Sequence, residues 1–314
     1  MKRETKSGSD CFPFPATVHL HRGELKRIFL WVTVAVYTVC LPYVILGFRA
    51  LNRNFSPAAA AKVPLAIMLG LAAAYVMAGI KSKRMGFCAA VLAAGAMITY
   101  VITMLQPNTN KHIHIPEYVI MVWLLYWALA IDYKGGGIYL LVFLCATMLG
   151  IVDELLQGIH PQRFYGWSDM SVNAAASLVG VMTLLGLNSG SSGAWRWAHH
   201  LKRLKGSLTV LGLGAATAVI ACIYLFKLRG PLSFWQVYPR WLFAFNSLYL
   251  AVAAGTLVGN GRRLYKAGGN PAKHAGDSIS AVITAHLWIV CPLAVLSVMQ
   301  ALVVWVGISG LDFR

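Results

Sequence analysis

Acidic residues are scarce in this chain: 10 among 314, against 27 Lys and Arg. Charges of either sign make up only 12% of it, and its six cysteines include no C-x-x-C pair. Each scarcity excludes something. Without a close cysteine pair there is no thiolate zinc site or redox dithiol, so Cys11, Cys40, Cys88, Cys145, Cys222 and Cys291 read as buried structural residues, the last five in or at apolar runs. With so few charges, a soluble chain could not solvate its surface. A hydrophobic content of 58% and a mean hydropathy of +0.65 describe a polytopic membrane protein instead. No cofactor motif is legible either: Gly259-Asn260-Gly261-Arg262-Arg263 lacks the strand, the spacing and the Lys-Ser/Thr of a phosphate loop.

What is present in quantity is apolar sequence. A hydrocarbon layer takes about 20 residues of helix, and runs of that order lie near 28–48, 63–80, 86–105, 116–131, 138–156, 170–187, 208–226, 241–258 and 279–308. The expected fold is therefore all-α, a polytopic transmembrane helical bundle of about nine spans. The first run has no small-residue cleavage site and reads as a retained helix behind a basic tail, residues 1–27. In that tail, Cys11 to Pro15 reads as plain linker.

The net charge of +17 does not indicate nucleic acid, because the basic residues sit in clusters between spans. With the N-terminus inside, 18 of the 27 Lys and Arg fall on inner segments (Lys2 to Arg27, Lys81 to Arg84, Lys134, Arg196 to Lys205, Arg262 to Lys273). The positive-inside rule then favours N-in, C-out. Arg196, Lys202, Arg203 and Lys205 follow a flexible Ser189–Gly193 connection and would face anionic inner-leaflet lipid.

Four of the 10 acids, Glu117, Asp153, Glu154 and Asp169, fall in two short polar blocks, both on the outer side in this topology. The first is Lys111-His112-Ile113-His114-Ile115-Pro116-Glu117-Tyr118, at the entrance to the fourth span. If that helix starts a little early, His114, Glu117 and Tyr118 share one face. An imidazole beside a carboxylate suits proton handling, or a hard or borderline divalent ion; a solvated interfacial cluster is the plainer alternative. The second block closes the fifth span with Asp153, Glu154 and Gln157 and opens the sixth with Asp169 and Asn173. Asp153 and Gln157 are one turn apart, and Glu154 is about 100° round the helix. Gly158 and Pro161 are expected to break the helix, and Ser168 or Asp169 to cap the next one. Arg163, the only Lys or Arg of its loop, suits a bidentate grip on a carboxylate or phosphate.

These residues resemble the signature of the VanZ-like membrane proteins: H-x-x-E-Y (His114, Glu117, Tyr118), D-E-x-x-Q (Asp153, Glu154, Gln157), Pro-x-Arg (Pro161, Arg163) and D-x-x-x-N (Asp169, Asn173). Order, spacing and span placement agree over roughly residues 60–187. Two departures stand out. Lys111-His112 replaces the glutamate-basic pair that often precedes the histidine, and Ala175-Ala176-Ser177 replaces glycines after the asparagine. Ala176 and Gly180 still make a small-x-x-x-small face. The resemblance implies a VanZ-like core at 59–187, preceded by a first helix and loop at 28–58 and followed by a basic linker at 188–207 and a three-span extension at 208–314. It also implies a bacterial cytoplasmic membrane and a role of the teicoplanin-resistance type, by a mechanism not established.

Two functions are compatible with the blocks. In one, an outer-face site binds or acts on an amphiphilic cell-envelope molecule such as a lipid-linked head group. Glu154, Asp169 and His114 would then be acid, base or metal ligands, and Glu117, Tyr118, Asp153, Gln157, Arg163 and Asn173 would bind the ligand. In the other, the same carboxylates and histidine serve a secondary transporter or proton-coupled permease, which needs polar residues continuing inward along the fourth to sixth spans; few are present. Beyond residue 187, Asn246, His286 and Gln300 are isolated and read as helix-to-helix hydrogen bonds.

Overall fold

Backbone polar groups in hydrocarbon have to be paired within their own segment, which leaves helices or closed barrels. The computed structural model describes residues 22–56, 62–82, 85–105, 109–133, 135–160, 163, 165–187, 195–228, 233–269, 279–311 and 313, and among them there is no strand. In chain order the helices are α1 (Arg22–Cys40), α2 (Val44–Asn54), α3 (Val63–Ser82), α4 (Met85–Tyr100), α5 (His114–Ala130), α6 (Ile138–Ile159), α7 (Trp167–Leu187), α8 (Lys205–Phe226), α9 (Phe234–Val237), α10 (Arg240–Gly269) and α11 (Ile279–Ser309). A 3-10 turn, Leu41–Tyr43, joins α1 to α2 with Pro42 in its first positions; others precede α5 (Thr109–Ile113) and α8 (Trp195–Leu204).

Nine helical stretches among the described residues are long and apolar enough to cross a membrane, from Gly23–Tyr43 to Ser280–Ser309. Large apolar side chains point outward from them, among them Phe29, Leu92, Trp241 and Ile308. In water such a surface would aggregate; in lipid it is the ordinary exterior. The chain is a polytopic membrane protein. Two boundaries differ from expectation. The first span ends at Tyr43, not near 48, where Pro42 tightens the helix into the 3-10 turn. The segment before α8, expected as basic linker, is ordered from Trp195 because Trp197, His200 and Leu204 are buried. The Cys11–Pro15 and Ser189–Gly193 segments and Pro161 lie outside the described residues.

Burial ranks the helices. More than half of the spanning window is buried in α5, α6 and α7 (56%, 56% and 61%), against 22% in the first span and 17% in each of the next two. The three polar-block helices are thus the centre of the bundle. Their apolar core includes Met121, Val122, Leu125, Leu141, Cys145, Ala146 and Ala176, with α1 supplying Val34 and the 3-10 turn after it Leu41. The expected small-residue face is where α7 meets α5: Ala176 is fully buried, and a side chain added at Gly180 would reach to 2.8 Å from Val122 Cβ. The reading of all cysteines as buried needs correction, since Cys40 and Cys88 are exposed on the bundle surface.

The last three spans pack onto this centre. α11 lies against α6, α8 and α10, and Val152, Leu155, Tyr165 and Met170 share a core with Leu225, Leu242, Leu296, Val306 and Phe313. Gln300 donates to Thr217 Oγ1 at 3.3 Å, joining α11 to α8 as expected of an intramembrane amide. Asn246 donates to the Tyr238 hydroxyl. His286 departs from the expectation: its Nδ1 meets the Val282 carbonyl of its own helix at 2.9 Å.

Candidate functional site

Because successive spans alternate direction, the start of α5, the end of α6 and the start of α7 share one end of the bundle. The polar blocks meet there. α5 begins at His114 itself, two residues before Pro116, whose missing N–H costs nothing in a first turn. His114, Glu117 and Tyr118 consequently share a face, and all three are buried within the bundle, which corrects the alternative of a solvated cluster. His114 Nδ1 lies 3.1 Å from Glu117 Oε2, in charge contact but off the line of a hydrogen bond. From α1, Tyr37 donates its hydroxyl to the Glu117 backbone carbonyl at 2.9 Å.

The end of α6 supplies a connected row. The Tyr118 hydroxyl and Gln157 Nε2 each donate to Asp153 Oδ2 at 3.0 Å. Arg163 then donates to Gln157 Oε1 from Nε at 3.0 Å and again from its terminal nitrogen. Among the described residues Arg163 grips no neighbouring carboxylate: its partner is the Gln157 amide oxygen, and the amide relays between guanidinium and Asp153. The helix ends where expected, between Gly158 and Pro161. α6 runs to Ile159, and the space where a Gly158 side chain would sit is filled by the Phe313 ring.

Glu154, fully buried, accepts a hydrogen bond from the Gly166 N–H at 3.2 Å. α7 starts at Trp167, two residues earlier than a Ser168 cap and three earlier than an Asp169 cap requires, which puts both residues in the first turn, where a helix favours negative charge. There Asp169 takes both oxygens to Lys111 Nζ, at 2.7 and 2.8 Å. Asn173 Nδ2 reaches the Gly150 carbonyl at 3.5 Å, where α6 and α7 cross so closely that a Gly150 side chain would touch both Asn173 and Tyr118. Glu154 lies within electrostatic reach of Asp153, Asp169 and His114. All nine sequence-identified residues therefore gather at one place.

The residual chemistry is mostly that of acceptors, with the buried His114 Nδ1 also lacking a hydrogen bond. Glu117 Oε1, Asp153 Oδ1, Glu154 Oε1 and Asn173 Oδ1 are buried without a hydrogen-bond partner. Each orphaned acceptor costs about 1–3 kcal/mol, and such groups concentrate where a ligand, water or proton completes them. Among the described residues no three His, Cys, Asp or Glu side chains stand close enough to hold a metal ion. Behind the site, outside the spans, burial pushes the Tyr165 hydroxyl well above the ordinary tyrosine range, and the nearby Cys222 and Glu154 add to this, so it stays protonated.

Three contributors escaped sequence reasoning. Lys111 stands beside the motif, but its target 58 residues on carries no local signal. Tyr37 lies on a helix remote in sequence, and the Gly166 N–H is a backbone group. An apolar cavity of about 440 Å³ adjoins the cluster, between α3, α4, α5 and α7; Ile115 and Pro116, next to His114, line it together with Met68, Ile98, Trp123 and Val179. Comparison with protein-family models, curated proteins and solved structures finds no match for this chain.

Proposed function

We propose that this chain is a VanZ-like membrane protein whose polar cluster, on the outer face of a bacterial cytoplasmic membrane, binds or acts on an amphiphilic cell-envelope molecule. The observation that carries the reading is the continuity of two unlike surfaces. A cluster of buried acceptor oxygens, rimmed by Lys111 and Arg163, adjoins an apolar cavity of about 440 Å³ along α5. A head group with hydroxyl or ammonium donors suits the first, and a hydrocarbon tail suits the second. In this reading Glu154, Asp169 and His114 are the groups placed to move protons. Glu117, Tyr118, Asp153, Gln157, Arg163 and Asn173 hold the head group, and the teicoplanin-type role implied by the resemblance is the physiological setting.

The packing beneath the cluster supports binding over permeation. One turn further into the bundle the core is Met121, Val122, Leu125, Cys145, Ala146 and Ala176. The polar side chains of α7 below Asn173 turn back on their own helix, with Ser177 donating to the Asn173 carbonyl at 2.8 Å and Thr183 to the Gly180 carbonyl at 2.6 Å. Among the described residues a permeating ion or solute would find few polar groups there, the Thr147 hydroxyl of α6 being one.

The test is to replace Glu154, Gln157 or Asp169 singly with Ala and to measure glycopeptide and envelope-stress resistance beside protein level in the membrane. The reading expects resistance to vanish while the protein accumulates normally. Loss of the protein itself, or undiminished resistance, overturns it.

A further inference from the structure

At the opposite end of the bundle, the start of α8 and the last turns of α10 enclose a second cavity, of about 520 Å³. Its lining differs from the first: Arg203, Ser207, Gly255, Gly259, Asn260 and Arg263 contribute, and both arginines are exposed. Asn260 is only 2% exposed. Its Nδ2 donates to the Thr256 carbonyl at 2.8 Å and to Ser207 Oγ at 3.2 Å. A carbonyl can only accept, so the amide nitrogen faces Thr256 and the orientation is settled. Oδ1 is left buried with no partner. Ser207, having accepted that bond, donates to nothing among the described residues.

The glycines are the second independent mark. Helix interiors disfavour glycine unless something approaches closely, yet a Cβ built at Gly255 or Gly259 meets nothing within 4 Å. No protein atom uses the space they leave. The groove thus combines two guanidiniums, a buried acceptor that lacks a donor, a spare hydroxyl donor and open room against the backbone.

We propose that this groove is a binding site for an anionic glycerophospholipid with a hydroxylated head group, of the phosphatidylglycerol type. The phosphodiester sits with Arg203 and Arg263, and a head-group hydroxyl donates to Asn260 Oδ1. The acyl chains run outside, along the exposed Leu248, Val252 and Val258 of α10. An ammonium head group would supply a donor too, but it brings a positive charge up to two guanidiniums, which like-charge repulsion disfavours. The site is separate from the polar cluster and does not depend on the function proposed for it.

The test uses detergent-solubilised full-length protein with phosphatidylglycerol, phosphatidylcholine, inorganic phosphate and glycerol phosphate as separate probes, read by native mass spectrometry of retained lipid and by thermal unfolding. Phosphatidylglycerol should be retained in preference to phosphatidylcholine and should raise the unfolding temperature. Arg263→Gln should weaken its retention roughly five-fold, the factor one basic residue contributes near an anionic membrane surface. Gly259→Leu should abolish retention by filling the groove, without lowering the unfolding temperature of lipid-free protein. Should Gly259→Leu fail to accumulate, Arg263→Gln decides alone, since Arg263 is exposed. Equal retention of the two lipids, or unchanged retention in Arg263→Gln, overturns the proposal. Protection by glycerol phosphate or inorganic phosphate alone at the same concentration assigns the groove to a soluble phosphate and overturns the lipid.

Discussion

Lys111 Nζ stands 2.7 and 2.8 Å from the two carboxylate oxygens of Asp169, joining the 3-10 turn before α5 to the first turn of α7. The Asp169 side chain is 6% exposed and the lysine 38%, so the pair lies between a surface ion pair and a buried one. Replacing Lys111 with Met should destabilise the protein by about 1–3 kcal/mol, between the small worth of exposed pairs and the larger cost of stranding a buried charge. Lys111→Met combined with Asp169→Asn should regain most of that loss, because no charge is then stranded. A double-mutant cycle of thermal unfolding in detergent measures both. A functional role for Asp169 beyond the pair appears as resistance lost in the double variant although its stability has returned.

Gln157 donates to Asp153 and accepts from Arg163. A carboxylate only accepts, so Gln157→Glu should keep the Arg163 contact and turn the Asp153 contact into repulsion. A loss of about 1–3 kcal/mol is expected, the range for stranding a buried polar group. Asp153→Asn added to Gln157→Glu should restore it, because the asparagine amide donates to the new carboxylate. Recovery of the unfolding midpoint in the pair, and its absence in Asp153→Asn alone, is the check.

Gly180 sits where α7 meets Val122 of α5. Alanine is the better helix former, yet Gly180→Ala should lower stability by about 1–3 kcal/mol through overpacking. Val122→Ala should recover part of it by making room. A stabilised Gly180→Ala would show that the helices separate easily at this point.

Phe313 fills the space over Gly158 and packs its ring on Tyr165, with centroids 5.4 Å apart. Phe313→Ala should cost about 3 kcal/mol, the low end of the range for truncating a buried phenylalanine. Under the proposed function it should also weaken glycopeptide resistance, since α6 loses its backing one residue from Gln157. Unfolding midpoint and resistance measured on the same variant test both effects.

The nine spans and the nine site residues were legible because their causes are local. Span length follows from bilayer thickness, and a face shared by residues three and four apart follows from helical pitch. His114, Glu117 and Tyr118 come together for that reason alone once α5 starts at His114. What stayed hidden depends on partners distant in sequence. Lys111 finds Asp169 and Phe313 finds Gly158 only after the helices are packed. No neighbouring carboxylate takes the Arg163 guanidinium among the described residues, because the acceptor held in position beside it is the Gln157 amide.

At the end of the bundle away from the polar cluster, one carbonyl receives two donors. The Tyr133 hydroxyl donates to the Gly136 carbonyl at 2.6 Å, the Trp197 indole donates to the same oxygen at 2.9 Å, and the Trp288 indole donates to the Tyr133 hydroxyl at 2.9 Å. The turn between α5 and α6 is thereby riveted to the chain on both sides of α8. A protein cut after Leu187 would retain every residue of the polar cluster and still be incomplete. Tyr133 and the Gly136 carbonyl would lose their indole donors, and Val152, Leu155, Tyr165 and Met170 would lose the side chains that cover them. In this chain the first six spans and the three that follow share a packed core, so the polar residues alone do not mark its limits.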